Sequence, residues 1–266
     1  MLEAMAGGDI EFLLLVGADP VRDVPDPRHT VQAIEAVDFL VSIDLFVNDS
    51  NRNADVIFPA SGFAEKEGTA TNLEGRVQKL NFLVPGPGQT RPDWAILSDL
   101  AERVGRGIGL GTAETIAKEI SEVAPAYAGI TWDHLEWEAR DGAVIPASAS
   151  PLSHIPVALK GDSAPSAQLT LHVARTMYDD GVMVRHSPSL RPLAKTQVAY
   201  LNPEDAKRAG AIGGHPVKVV TSHGEGEFTA VLDRGTPPGV VYVPFNQPGT
   251  PSLGTDAVVR VTAVGR

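Results

Sequence analysis

The spacing of apolar residues changes once along the chain, from patterns that suit buried strands and helices to short, closely spaced β-rich runs. Phe12-Leu13-Leu14-Leu15-Val16 is an unbroken apolar stretch halted by Gly17-Ala18-Asp19-Pro20. Such a run, without polar alternation, predicts a parallel strand covered on both faces. Asp26 and Pro27 then supply a helix N-cap and a first-turn proline, and Val31, Ile34 and Val37 recur at helical spacing. Residues 39–46 and 54–59 predict two further buried strands, separated by the polar stretch Asn48-Asp49-Ser50-Asn51-Arg52-Asn53. If these two run parallel, so short a connection leaves room for one helical turn and no crossover helix.

Pro92 opens an amphipathic helix with Trp94, Leu97, Leu100 and Val104 on one stripe and Gly105 placed to end it. A second helix is expected over residues 112–125, with Ile116, Ile120 and Val123 inward. From residue 169 the period shortens. Residues 169–177, 198–201, 217–221, 227–232, 240–245 and 258–264 are β-rich runs divided by turn residues. One helical insert interrupts them, with Asn202 as N-cap, Pro203 in the first turn and Gly210 as its stop. This pattern predicts a closed β-barrel. The fold class expected is therefore an α/β partial open parallel sheet, Rossmann-like, followed by a mostly β barrel. The prolines and serines of residues 142–168 resist helix and central strand alike, so the expected organisation is an α/β domain over 1–141, a linker over 142–168 and a barrel over 169–266.

Charge sharpens that division. Residues 1–165 carry 12 basic and 25 acidic side chains, whereas residues 166–266 carry 10 and 8. The net charge of -11 repels a phosphate backbone and argues against nucleic-acid binding. With zero Cys, the chain offers no disulfide, thiol nucleophile, thiolate metal site or cysteine ligand to an iron-sulfur cluster. The N-terminal apolar run lacks a basic flank and contains Glu11, which suits neither a signal peptide nor a membrane anchor, and no stretch approaches the roughly 20 apolar residues that cross a bilayer.

Standard hydrolase signatures are missing, the histidines are not at helical metal-ligand spacing, and the glycine run at residues 105–111 follows a helix, so it reads as a helix-to-helix joint. Neither a catalytic residue nor a metal ligand is assigned. Two loops carry more content. Gly17-Ala18-Asp19-Pro20 follows a buried strand, where open α/β sheets place their ligands; equally, glycine and proline there simply end the strand. The loop from Glu65 to Gln78 mixes glycines with Thr69, Asn72 and Arg76, whose planar fork suits a diphosphate. The alternative is a self-bonded surface loop with Arg76 paired to Glu74 or Glu67.

On these residues the chain resembles a known family. Ala54-Asp55-Val56-Ile57-Phe58-Pro59-Ala60, Glu65-Lys66-Glu67-Gly68-Thr69 and Asn72-Leu73-Glu74-Gly75-Arg76-Val77-Gln78 resemble the molybdopterin oxidoreductase superfamily, as do Gly17-Ala18-Asp19-Pro20 and Asn202-Pro203-Glu204-Asp205-Ala206. Gly17 to Asp23, Arg185-His186-Ser187-Pro188-Ser189-Leu190 and Pro244-Phe245-Asn246-Gln247-Pro248-Gly249 look most like one branch of it, the C-terminal part of the large G subunit of NADH:quinone oxidoreductase, respiratory complex I.

The resemblance implies a sheet domain packed on a double-psi β-barrel, with molybdopterin guanine dinucleotide held between them in active members. Carried over, Gly17, Asp19, Asn72, Gly75 and Arg76 border the pocket from the sheet side, and Arg175, Gly181, His186, Ser187 and Asn202 from the barrel side. In the complex I branch the pocket is a scaffold, and electrons pass through N-terminal iron-sulfur clusters that have no counterpart here. The leading expectation is thus a structural C-terminal portion without carriers of its own, inactive alone, in the peripheral arm on the cytoplasmic face of the plasma membrane. Its implied partners are other arm subunits and the N-terminal half of the same large subunit, with no nucleic acid and no membrane insertion. The alternative is a dinucleotide-binding fragment of a formate dehydrogenase-like oxidoreductase. One departure stands out: Gly213-Gly214-His215 replaces an acidic turn.

Overall fold

The computed structural model describes residues 1–24, 26–146, 168–222, 224–250, 253–254 and 258–264. Its first lobe begins with α1 (Leu2–Ala6), β1 (Phe12–Val16), α2 (Pro20–Asp23), α3 (Pro27–Glu35), β2 (Phe39–Asp44) and β3 (Val56–Pro59). The three strands are parallel, in the order β1-β2-β3. The middle of β1 and most of β2 are covered on both sides, whereas Phe12, Val16 and Phe39 at the strand ends are exposed and β3 is only half-buried. Leu13, Leu15 and Leu40 pack under Met5 of α1 and Ala33 and Ile34 of α3, while Leu14 and Ile43 face the opposite layer with Ile96. Asp26 caps α3 by accepting the His29 backbone N–H at 3.1 Å.

Between β2 and β3 the chain makes the single helical turn that its length permits, with the Arg52 N–H donating to the Asn48 carbonyl at 3.1 Å. Asn48, Ser50 and Asn51 are buried there, and side-chain bonds to Asp44, Asp19 and Ser42 satisfy them. A second, antiparallel sheet follows, formed by β4 (Gly68–Thr71), β5 (Arg76–Leu80) and, after α4 (Asp93–Arg103) and α5 (Ala113–Val123), the short β6 (Ala143–Val144). Strand β6 lies inside the stretch expected to be linker. It pairs with Arg76 and Val77, because Gly142 at φ 94 turns the chain onto β5 where any Cβ would meet Arg76, Gln78 and the Val77 carbonyl. Most of the remaining linker expectation, residues 147–167, falls outside the described residues.

The helix stripes differ in detail from the sequence pattern. On α4 the buried residue is Ile96, while Val104 is 64% exposed; on α5 the buried residues are Ala113 and Ala117, and Val123 is 69% exposed. Ile116 and Ile120 of the expected inward stripe are half-buried beside Ala113 and Ala117, so the stripe departs from the expectation only at Val123.

The second lobe contains β7 (Leu169–Ala174), α6 (Val182–Arg185), β8 (Val198–Leu201), α7 (Pro203–Arg208), β9 (Pro216–Val220), β10 (Glu225–Leu232), β11 (Val240–Pro244) and β12 (Val258–Ala263). The six strands close into a barrel in the order β10-β8-β11-β7-β12-β9. Alternate residues point inward, so Phe228, Leu201, Val217, Val219, Val241 and Val243 fill the interior. Asp205 of α7 is buried and accepts the Gly239 N–H at 2.7 Å, fixing the turn into β11.

Candidate functional site

The lobes meet where the carboxyl ends of β1 and β2 face the segment that follows β7. Gly17 adopts φ 55 and lets the chain turn off the strand into Asp19. Asp19 is 7% exposed; its Oδ1 accepts the Ser50 hydroxyl at 2.6 Å, and Oδ2 has no hydrogen-bond partner among the described residues. Burial pushes its carboxyl above the usual carboxylate range. The Ser50 bond and the Arg22 and Arg185 charges oppose that shift, while Asp49 adds to it.

Across the boundary, Arg22 reaches Asp49 at 2.7 Å in its own lobe and Asp180 at 3.4 Å in the other. Arg175 pairs with Asp23 of the sheet lobe and with Asp179 at 3.4 Å, and Arg185 with Asp180 at 3.0 Å. The His186 ring lies on that of Phe46.

Beside this contact lies a cleft of about 880 Å³, lined from the sheet lobe by α2, α3 and the β2–β3 turn and from the barrel by β7 and the end of β11. Four arginines (Arg22, Arg28, Arg52 and Arg175) line it against two aspartates, Asp23 and Asp49. In an acidic chain this is a locally basic cavity, which attracts anions. Two further lining residues carry polar atoms without a hydrogen-bond partner among the described residues, the buried Asn246 Nδ2 and Thr250 Oγ1. Among the described residues Asn246 is also the non-glycine residue at positive φ, 48°, a conformation asparagine tolerates better than most.

The sequence-derived candidates separate accordingly. Arg175 lines the cleft. Asp19 and His186 sit at the lobe contact, with Gly17 in the turn leading to Asp19, and Gly181 donates its N–H to Asp179 at 2.8 Å just before α6. Ser187 meets Ser189 at 3.3 Å. Asn202 caps α7 by accepting from the Glu204 N–H and donates to the Thr236 carbonyl at 3.0 Å. Asn72, Gly75 and Arg76 form the β4–β5 turn, outside the cleft lining. There Asn72 Oδ1 accepts the Glu74 and Arg76 N–H groups at 2.9 Å, Gly75 takes φ 75, and Arg76 contacts Glu74 and the Gly142 carbonyl. This is the self-bonded loop that the residue pattern left open. Arg22, Arg52, Asn246 and Thr250 carry no individual mark in the sequence; Arg22 and Asn246 each lie within one of the family-like motifs, and the positive φ of Asn246 has no signature beyond the residue type.

Comparison with known proteins places this two-lobed arrangement. Residues 1–103 match the family model Molybdopterin oxidoreductase, and residues 169–263 match the Molydopterin dinucleotide binding domain. The chain belongs to the molybdopterin oxidoreductase family. Relatives in it include the F420-dependent formate dehydrogenase 1 subunit alpha of Methanococcus maripaludis, 31% identical over 265 residues that cover 91% of this chain and 39% of that protein. A G subunit of NADH-quinone oxidoreductase from Rhizobium meliloti is 30% identical, over 92% of this chain and 28% of its own length. The chain thus spans well under half of these relatives. Acetylene hydratase from Pelobacter acetylenicus shares the fold with a TM-score of 0.68 at 17% identity, covering 94% of this chain and 40% of that one. The family implies a pterin dinucleotide, and the cleft suits such a group: it carries four arginines, lies between the two lobes, and counts among its lining residues Asn246 and Thr250, each with a buried polar atom that has no partner among the described residues. Among the described residues no helix is long and apolar enough to cross a membrane.

Proposed function

We propose that the chain is the C-terminal part of a molybdopterin oxidoreductase subunit and that its inter-lobe cleft holds molybdopterin guanine dinucleotide. The observation that carries this reading is the pairing of a basic cavity with buried, unpartnered polar atoms on Asn246 and Thr250. When bound, the group supplies the redox chemistry. This chain's residues bind and orient it: Arg175, Arg28 and Arg52 hold anionic oxygens, and Asn246 and Thr250 offer polar contacts. Denaturing the purified chain and scanning the supernatant for pterin fluorescence tests the proposal; stoichiometric pterin is expected, and its absence after expression in a pterin-producing host counts against it.

The second reading is a structural portion of the large G subunit in NADH:quinone oxidoreductase, supporting electron transfer without carriers of its own. It is favoured by the relative at 30% identity and by zero Cys. The arginine forks that the chain fills with its own carboxylates also suit a scaffold. Its partners would be other peripheral-arm subunits, which affinity purification of the tagged chain from its host detects. That reading expects those subunits with no pterin in the preparation.

A further inference from the structure

Two cations that line the cleft also fasten the lobes together. Arg22 places Nε and Nη2 on Asp49 Oδ2 at 3.0 and 2.7 Å and turns Nη1 to Asp180 of the barrel lobe at 3.4 Å. Arg175, with its guanidinium 5.2 Å from the Phe245 ring centroid, gives Nη2 to Asp23 of the sheet lobe and Nη1 to Asp179. Each guanidinium therefore spends its outward N–H groups on carboxylates, and each has one such partner across the lobe boundary.

We propose that Asp23 and Asp180 act as built-in substitutes for a ligand diphosphate, holding Nη2 of Arg175 and Nη1 of Arg22 until an entering anion displaces them. The inference rests on the dinucleotide reading and adds a regulation of that site: filling the cleft and unfastening the lobes are one exchange of partners. The energetics permit it. The Arg175–Asp23 side chains are 50% and 57% exposed, and pairs so open to solvent contribute at most about 1 kcal/mol. A diphosphate carries more charge and matches the planar fork with two parallel hydrogen bonds, so it competes well against a single carboxylate. Because the displaced carboxylates belong to the opposite lobe, the exchange couples occupancy to lobe contact, and that coupling is reciprocal.

The test is the binding of inorganic pyrophosphate to the full chain at low ionic strength, followed by calorimetry, for wild type, Asp23→Asn, Asp180→Asn and Asp99→Asn. Asp99 pairs with Arg91 at 2.8 Å outside the cleft lining, so its substitution makes the same change in net charge without touching the exchange. Removing one competing carboxylate is expected to tighten pyrophosphate about two- to five-fold relative to Asp99→Asn. Asp23 is the more exposed of the two, so that variant carries the test if Asp180→Asn folds poorly. Affinity equal to or weaker than that of Asp99→Asn overturns the proposal, as does pyrophosphate binding to none of the chains. The dinucleotide reading falls on a separate result, the absence of released pterin, so the two failures are told apart.

Discussion

The imidazole of His186 lies flat on the phenyl ring of Phe46, with centroids 3.9 Å apart and planes 5° from parallel. The two rings come from different lobes, one from the turn after β2 and the other from the end of α6, so their stack is an apolar fastening beside the ion pairs. Aromatic pairs contribute about 0.5–1.5 kcal/mol beyond their buried area. Phe46→Ala is expected to lower the unfolding midpoint by about 2–4 °C per kcal/mol lost, as read by circular dichroism. It is also expected to speed proteolysis between the lobes, whereas Phe46→Tyr, which keeps the ring, leaves both near wild type.

Asp19 gives a pH dependence of definite sign. Burial, the largest influence on its carboxyl, raises its folded pKa above the ordinary aspartate value of 3.8, against the pull of Ser50, Arg22 and Arg185. The native state then holds the proton more tightly than the unfolded chain. Across the window from about 3.8 up to the raised value, stability contributed by this group falls as pH rises. Asp19→Asn keeps an oxygen for the Ser50 hydroxyl and removes the titration. Its stability relative to wild type is expected to be greater at about pH 7 than at about pH 3.5, measured by urea unfolding at both; an unchanged difference would contradict the assignment.

How much of this was legible beforehand depended on what marks each feature. Apolar runs exposed β1 and β2, since cover over the strand middles favours apolar residues and admits a polar one such as Ser42 only with a partner, and turn residues between short β runs exposed the barrel. Asn202, Pro203 and Gly210 bounded α7 because each meets a backbone requirement of its own. By contrast, Ile96, the buried residue of α4, lies outside the stripe that the sequence marked, and β6 forms where Gly142, at positive φ, turns the chain back onto β5. The cleft was harder still. Arg22, Arg52 and Asn246 become neighbours through lobe packing, a relationship that local sequence does not encode, whereas Asn72 and Arg76 stand out through a motif and satisfy each other in a turn.

That separation makes a prediction about Arg76. Its guanidinium contacts Glu74 at 3.6 Å and the Gly142 carbonyl at 3.2 Å, within the β4–β6 sheet and outside the cleft lining. Arg76→Ala is expected to leave pyrophosphate affinity of the chain within about two-fold of wild type, whereas Arg175→Met weakens it about ten-fold or more, since charge-assisted contacts contribute roughly 1.5–3 kcal/mol each. Equal losses in the two variants would mean that the β4–β5 turn contributes to the site.

Asp205 in the barrel tests a structural role. It is 1% exposed, pairs with Arg208 and accepts the Gly239 N–H at 2.7 Å. Asp205→Ala strands that half-buried donor and is expected to cost about 1–3 kcal/mol, seen as a lower urea midpoint. Asp205→Asn retains an acceptor and loses less.

Asn246 separates backbone from side chain. At φ 48 a β-branched residue is strained, so Asn246→Val is expected to destabilise the chain by about 1–2 kcal/mol or more in urea unfolding. Asn246→Gly accepts the same backbone without strain and is expected to hold stability within about 1 kcal/mol of wild type. What glycine removes is the buried Nδ2 that no other described residue satisfies. If that amide faces a ligand, the glycine variant folds normally yet releases less pterin per chain on denaturation than wild type from the same host. Full pterin content in Asn246→Gly would instead assign the unsatisfied amide to packing of the β11 end alone, and would shift the polar contacts of the cleft to Thr250 and the arginines.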